Sequence, residues 1–273
     1  MSTLYLVATP IGNLDDISYR ALRILREVSC IAAEDTRQTK KLLNHYDIQT
    51  PLISFHEHSK QGRINQLLTR LEQSDLALVS DAGTPLVNDP GYELVQAVLE
   101  AGHTVSPIPG PNAAIAALIA SGLPADNFLY LGYLPRKSSE RRRMLGEVID
   151  LPFTLLFLET PHRLLAGLED IKEQLGDRNL AVARELTKLH EEIFRGTISQ
   201  AIHHYTNNPP KGEITLVVAG KPMIEETWPE HRLTAAIKEG TSSGTPPAEL
   251  AGQLAVESGW PRREIYKLII SME

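Results

Sequence analysis

The chain has 273 residues, enough for two compact α/β lobes and a small appendage. Its 27 basic and 34 acidic residues leave a net charge of −7, which disfavours an overall basic nucleic-acid coat and confines any such site to a local patch. No stretch approaches the roughly 20 apolar residues of a membrane span, the start lacks a charged segment before an apolar one, and a single cysteine excludes a disulfide framework, so a reducing, cytoplasmic setting is expected.

Leu4–Ala8 is a short β-rich run that ends at the turn Thr9-Pro10-Ile11-Gly12-Asn13, after which Ile17, Ala21, Ile24 and Val28 recur at helical spacing. The alternation continues through apolar runs at 30–33, 76–79 and 104–108, with helices around 39–45, 63–72 and 90–101. Short apolar runs alternating with amphipathic helices predict a largely parallel sheet covered on both faces. Cys30, inside Cys30-Ile31-Ala32-Ala33, reads as a core thiol rather than a nucleophile, and no Cys/His spacing suggests a metal. A helix 113–121, stopped by Gly122, follows "PGPN" and marks a crossing between lobes. Further runs lie at 128–131, 154–158, 180–183, 191–194 and 214–219, with helices near 139–148, 163–175 and 199–205. Residues 225–229 read as a linker, and helices near 232–239, 248–257 and 262–271 form a tail. The expected domains are therefore 1–116, 117–224 and a helix-turn-helix-like 225–273.

The segment "SDAGTPLVNDPG" (80–91) follows an apolar run, where parallel α/β sheets hold ligands outside the carboxyl ends of their strands. Gly83 permits close backbone approach, and Asp89-Pro90 reads as an N-cap followed by a first-turn proline. Ordinary turn and capping roles are the alternative. From Leu71 to Pro135 there is no Lys or Arg, and Gly12 stands alone without G-x-G-x-x-G, so neither a phosphate loop nor a dinucleotide site is expected. A ligand with a positive centre and no phosphate suits Asp81 and the backbone amides; S-adenosylmethionine has that character.

Thr9–Asn13, Ala33-Glu34-Asp35-Thr36-Arg37, "SDAGTPLVNDPG", "PGPNAAIAAL", Glu159-Thr160-Pro161-His162-Arg163 and Ala183–Lys188 together resemble the bacterial small-subunit rRNA cytidine 2′-O-ribose methyltransferases, within the tetrapyrrole-methylase-like group of S-adenosylmethionine enzymes. The resemblance spans residues 4 to 220. It implies two α/β lobes with a donor cleft between them, a C-terminal helical segment, and a homodimer acting on 16S rRNA in the small ribosomal subunit. By the same resemblance the donor lies among Pro10, Gly12, Asp81, Gly83, Thr84, Pro85, Asp89, Gly110, Asn112, Ala113 and Leu158.

Methyl transfer to a 2′-hydroxyl requires in-line positioning and a proton acceptor. Asp35, Arg37, Glu159, His162, Arg184 and Lys188 form the candidate catalytic pool, with no base assigned among them. Helix capping, solvated arginine and surface salt bridges are the competing readings of the same residues. Arg136, Lys137, Arg141, Arg142 and Arg143 put five cations within eight residues, and with Arg163 they are the expected RNA contacts. The tail's first turn-flanking helix, 248–257, has no Lys or Arg, which leaves packing or dimerisation as open as RNA binding. Competing functions are C-methylation of a tetrapyrrole precursor and a non-catalytic donor- or RNA-binding module.

Overall fold

The computed structural model describes residues 2–56, 61–222 and 227–272. The chain divides into two compact units, Met1–Lys221 and Pro222–Glu273.

The first unit holds two five-stranded sheets. In the first sheet, β1 (Thr3–Val7), β2 (Cys30–Ala33), β3 (Leu52–Ser54), β4 (Leu76–Val79) and β5 (Thr104–Ile108) run parallel in the order β3-β2-β4-β1-β5. Every residue of β2 and β4 is buried, as strands covered on both faces require. One face packs on α1 (Tyr19–Glu27) and α2 (Thr36–His45) through Ala21, Leu25, Leu42 and Leu43. The other packs on α3 (Gln61–Leu71) and α4 (Tyr92–Glu100) through Ile64, Leu67, Leu94 and Val98. The connections leaving the adjacent strands β1 and β4 thus depart to opposite faces, which opens a crevice at their carboxyl ends. Cys30 is a buried free thiol whose pKa is pushed up by burial, in keeping with a core role.

The second sheet joins β6 (Phe128–Tyr133), β7 (Thr154–Glu159), β8 (Asn179–Arg184), β9 (Glu192–Thr197) and β10 (Ile214–Val218) in the order β6-β7-β10-β8-β9. Only β6 and β7 pair in parallel; β10 lies antiparallel between β7 and β8. The helices α6 (Ser138–Glu147), α7 (Leu164–Leu175) and α8 (Ile198–Asn207) cover one face. The other face receives α5 (Ala113–Ser121), whose buried Ala114, Ala117 and Leu118 meet Leu156, Ala181 and Val217. Residue 116, expected as a lobe boundary, lies inside α5, so the whole helix belongs to the second sheet. The expected boundary at 224/225 falls outside the described residues.

The second unit is a three-helix cluster, α9 (Glu230–Ser242), α10 (Pro247–Ser258) and α11 (Arg262–Met272), around Leu233, Ile237, Leu250, Leu254, Ile265 and Ile269. Trp228, expected in a linker, packs here: its carbonyl accepts from Trp260 Nε1 at 2.6 Å, and Arg232 lies 4.1 Å above its ring. Glu225 and Glu226, expected in the same linker, fall outside the described residues. Among the described residues no helix is long and apolar enough to cross a membrane.

Candidate active site

Three turns meet at the carboxyl ends of β1, β4 and β5. The Thr9 and Gly83 backbones exchange hydrogen bonds, N–H to O at 2.8 and 2.9 Å. Gly83 has φ +76°, a left-handed conformation open to glycine without steric cost. Thr84 Oγ1 donates to Pro111 O at 3.2 Å and accepts from Asn112 Nδ2 at 3.2 Å, while Asn112 Oδ1 accepts from Ile115 N and caps α5. Leu86 (φ +70°) and Asn88 (φ +65°) hold positive φ in the turn after β4. Such strain in side-chain-bearing residues persists only where the surroundings fix it, and it clusters at functional sites.

These turns form one wall of a cleft of about 370 Å³, within the size range of small-molecule sites. The first sheet and the turns after its strands contribute Ile11, Glu34, 81–84, 87–89 and Asn112; the second sheet with α5 contributes Ala113, Ala114, Tyr130, Tyr133, 158–161 and 212–215. Among the described residues five carboxylates line the cleft (Glu34, Asp81, Asp89, Glu159 and Glu213) and no Lys or Arg does. Glu159, at the end of β7, is buried against Arg163 Nη2 at 3.1 Å and the Thr160 N–H at 2.7 Å. Glu213 meets Lys188 Nζ at 2.9 Å. Asp81 accepts the Asp35 N–H at 2.9 Å. Burial raises the Asp89 pKa, with the Ser80 hydroxyl acting the other way. Tyr130, donating to Asn88 Oδ1 at 2.5 Å, is pushed up to about 12 by burial, so its phenol stays protonated.

Of the expected donor residues, Asp81, Gly83, Thr84, Asp89, Asn112, Ala113 and Leu158 line this cleft, whereas Pro10, Gly12, Pro85 and Gly110 do not. Gly12 serves close packing: a Cβ there would lie 2.4 Å from Lys188 Cγ and 2.7 Å from Thr187 Oγ1. Gly110 similarly abuts Ala8. The Asp89-Pro90 cap is corrected: α4 begins at Tyr92 with Gly91 (φ 139°) as N-cap, and Asp89 faces the cleft instead.

The expected catalytic pool is not brought together. Only Glu159 lines the cleft. Asp35 caps α2, accepting from the Arg37 N–H at 2.8 Å, and hydrogen bonds from the Arg37 side chain hold its pKa down at about 2. His162 is exposed, 3.4 Å from Thr160 Oγ1. Arg184 pairs with Glu192 at 2.6 Å, and Lys188 with Glu185 at 3.0 Å as well as with Glu213.

Two expected RNA contacts are also corrected. Arg141 is buried, with Nε 2.7 Å from Asp170 and Nη1 donating to Pro135 O, because Asp170 of α7 draws it into the seam between α6 and α7. Arg163 turns inward to Leu134 O and Glu159. Arg136, Lys137, Arg142 and Arg143 remain exposed, although Lys137 pairs with Glu140 and Arg142 with Asp170 and Glu173. The sequence reading missed Tyr130, Tyr133, Asn88 and the segment 212–215. The two tyrosines, polar-tipped within an otherwise apolar run, carried a signal; the antiparallel entry of β10, which brings in 212–215, carried none.

A family model of tetrapyrrole (corrin/porphyrin) methylases matches residues 3–202. The chain is 48% identical over 271 residues to a "Ribosomal RNA small subunit methyltransferase I" of Halalkalibacterium halodurans, covering 97% of this chain and 94% of that one. A protein of the same description from Synechocystis is 48% identical, covering 100% and 99%. Among solved structures, cobalt precorrin-4 methyltransferase superposes with a TM-score of 0.61 at 16% identity, covering 80% of this chain and 94% of that one. Uroporphyrin-III-C-methyltransferase from Thermus thermophilus gives 0.55 at 21%, covering 81% and 95%.

Proposed function

Because the chain belongs to the tetrapyrrole (corrin/porphyrin) methylase family, we propose that it transfers a methyl group from S-adenosylmethionine to small-subunit ribosomal RNA, at the 2′-hydroxyl of a cytidine in the decoding region of 16S rRNA. The observation that carries the reading is the cleft at the crevice between β1 and β4, lined by five carboxylates and no cation among the described residues.

That lining fits a ligand with a sulfonium, an ammonium and no phosphate. Asp81 and Asp89 favour the positive centres, and the Gly83 turn and Ala113–Ala114 let an adenosine approach the backbone. When bound, S-adenosylmethionine supplies an electrophilic methyl group. The protein's contribution is alignment of the hydroxyl, worth up to about 7–11 kcal/mol of the barrier, and a nearby acceptor for its proton. Asp89 has the raised proton affinity that a carboxylate base needs. Glu159, pinned by Arg163 and Thr160, orients the wall beside it. Asp35, Arg37, His162, Arg184 and Lys188 act outside the donor cleft, shaping its rim.

The same reading makes the protein a cytoplasmic homodimer that acts on the 30S subunit. Ile119 on α5 is 74% exposed and Leu189 is 93% exposed, apolar surface available to a second copy. Labelled S-adenosylmethionine incubated with unmethylated 30S subunits, naked rRNA and a tetrapyrrole precursor tests the reaction. Label recovered as 2′-O-methylcytidine is the expected result; label in the tetrapyrrole, or in nothing, overturns it.

A further inference from the structure

A second cavity, of about 500 Å³, lies between α2 and the segment leading into β3, and its chemistry is the reverse of the donor cleft's. Thr36, Arg37, Lys40, Leu43 and Asn44 face it from α2, at the three-and-four spacing that places residues on one side of a helix. Ile48, Gln49, Thr50 and Leu52 close the other side. Buried Leu43 and Ile48 form an apolar floor. Among the described residues no carboxylate lines this groove.

Its polar groups are largely uncommitted. Lys40 and the side-chain amides of Asn44 and Gln49 are exposed and have no hydrogen-bond or ion-pair partner among the described residues. Arg37 is 88% exposed; its Nε and Nη2 meet the Asp35 carboxylate at 3.0 and 2.7 Å, which leaves Nη1 to face solvent. The groove also adjoins the donor cleft through a single residue: Asp35 holds Arg37 with its carboxylate and donates its N–H to Asp81, which lines that cleft.

We infer that this groove binds one nucleotide of single-stranded RNA, next to the nucleotide whose ribose enters the donor cleft. The inference rests on the reaction proposed above. Arg37 and Lys40 take the phosphate, and Asn44 and Gln49 offer paired donors and acceptors to a base edge. The donor cleft, rich in carboxylates, repels that same phosphate, so the two cavities sort donor and RNA backbone by charge.

The test measures binding separately from transfer, using the full chain. Lys40→Gln, Asn44→Ala and the charge-retaining Lys40→Arg are compared with the parent for affinity to a short single-stranded RNA carrying the target cytidine, across a salt series, and for S-adenosylmethionine affinity. Lys40→Gln is expected to weaken RNA binding about 3- to 10-fold and to flatten the slope of log K against log salt by about 0.7, with Lys40→Arg restoring both. Asn44→Ala weakens binding without changing the slope, and donor affinity stays constant in all three. If the parent binds RNA and both Lys40→Gln and Asn44→Ala bind it as tightly and with the same slope, the groove assignment is overturned, whether or not methyl transfer occurs. A parent that binds no short RNA overturns the groove assignment, and the reaction itself stands or falls separately on methyl transfer to unmethylated 30S subunits. Capture of a peptide by the groove, with RNA affinity unchanged in the variants, also overturns the groove assignment in favour of a protein ligand.

Discussion

The guanidinium of Arg141 and the carboxylate of Asp170, each side chain only 5% exposed, lock α6 onto α7 through an Nε–Oδ2 contact of 2.7 Å. Burial acts to raise the Asp170 pKa, but hydrogen bonds from Arg142, Ser138 and Arg141 outweigh it and hold the carboxyl below its ordinary value. Asp170→Asn strands a buried arginine and should cost about 3–5 kcal/mol, read as a lower melting temperature. A depressed carboxylate contributes its full stability above the unfolded pKa and loses it as pH falls through the folded one, so the gap between parent and variant should begin to narrow below about pH 3.9 and close in stronger acid. Arg141→Gln should likewise lower the melting temperature and leave the salt slope of RNA binding unchanged.

Asp81 sits where a positive ligand centre would be placed, with a second role in fixing Asp35. Asp81→Asn should weaken S-adenosylmethionine binding about 10- to 100-fold, the worth of one charged hydrogen bond. Calorimetry measures it, and an unchanged dissociation constant removes Asp81 from the donor site.

Asp89 is raised by burial, so ionising it costs the empty protein stability. That cost is present above the folded pKa and disappears below the ordinary carboxylate value, where folded and unfolded states are both protonated. Asp89→Asn should therefore melt higher than the parent at pH 7, with the difference shrinking in acid, while methyl transfer is lost. Thermal melts at pH 7 and pH 4 beside a transfer assay check both halves.

Gly12 lies against the turn 186–188, and a Cβ would meet Lys188 Cγ, Thr187 Oγ1 and, at 3.0 Å, the Leu186 carbonyl. The Asn13 N–H donates to Thr187 Oγ1 at 3.0 Å across the same seam. Gly12→Ala should cost about 1–3 kcal/mol as overpacking. Gly146→Ala, with nothing within 4 Å inside α6, is the opposite control and should stabilise by about 0.5–1 kcal/mol. Denaturant midpoints of the two variants test the contrast.

The three-helix unit has its own core, as does Met1–Lys221. A chain ending at Lys221 should fold cooperatively and bind S-adenosylmethionine as the full chain does. Loss of donor binding would show that the helical unit supports the cleft.

What the sequence determined by itself is what depends on neighbours along the chain. Runs such as Cys30–Ala33 and Leu76–Val79, apolar throughout, have to be strands covered on both faces, and the turns after them then fall at one edge of the sheet. The stretch from Leu71 to Pro135 without a cation already set the charge of half the cleft wall. Spacing did not reveal that β10 enters antiparallel between β7 and β8, which delivers 212–215 to the cleft, because strand order is settled by packing between sheet and helices. Nor did it show that Arg141 is buried: within a run of five cations only tertiary structure decides that Arg141 and Arg142 both meet Asp170, that Arg141 is drawn inside by it, and that the others stay in water. Local pattern fixes backbone conformation, since φ/ψ preference and periodicity act over a few residues; side-chain charge finds its partner only when distant elements come together.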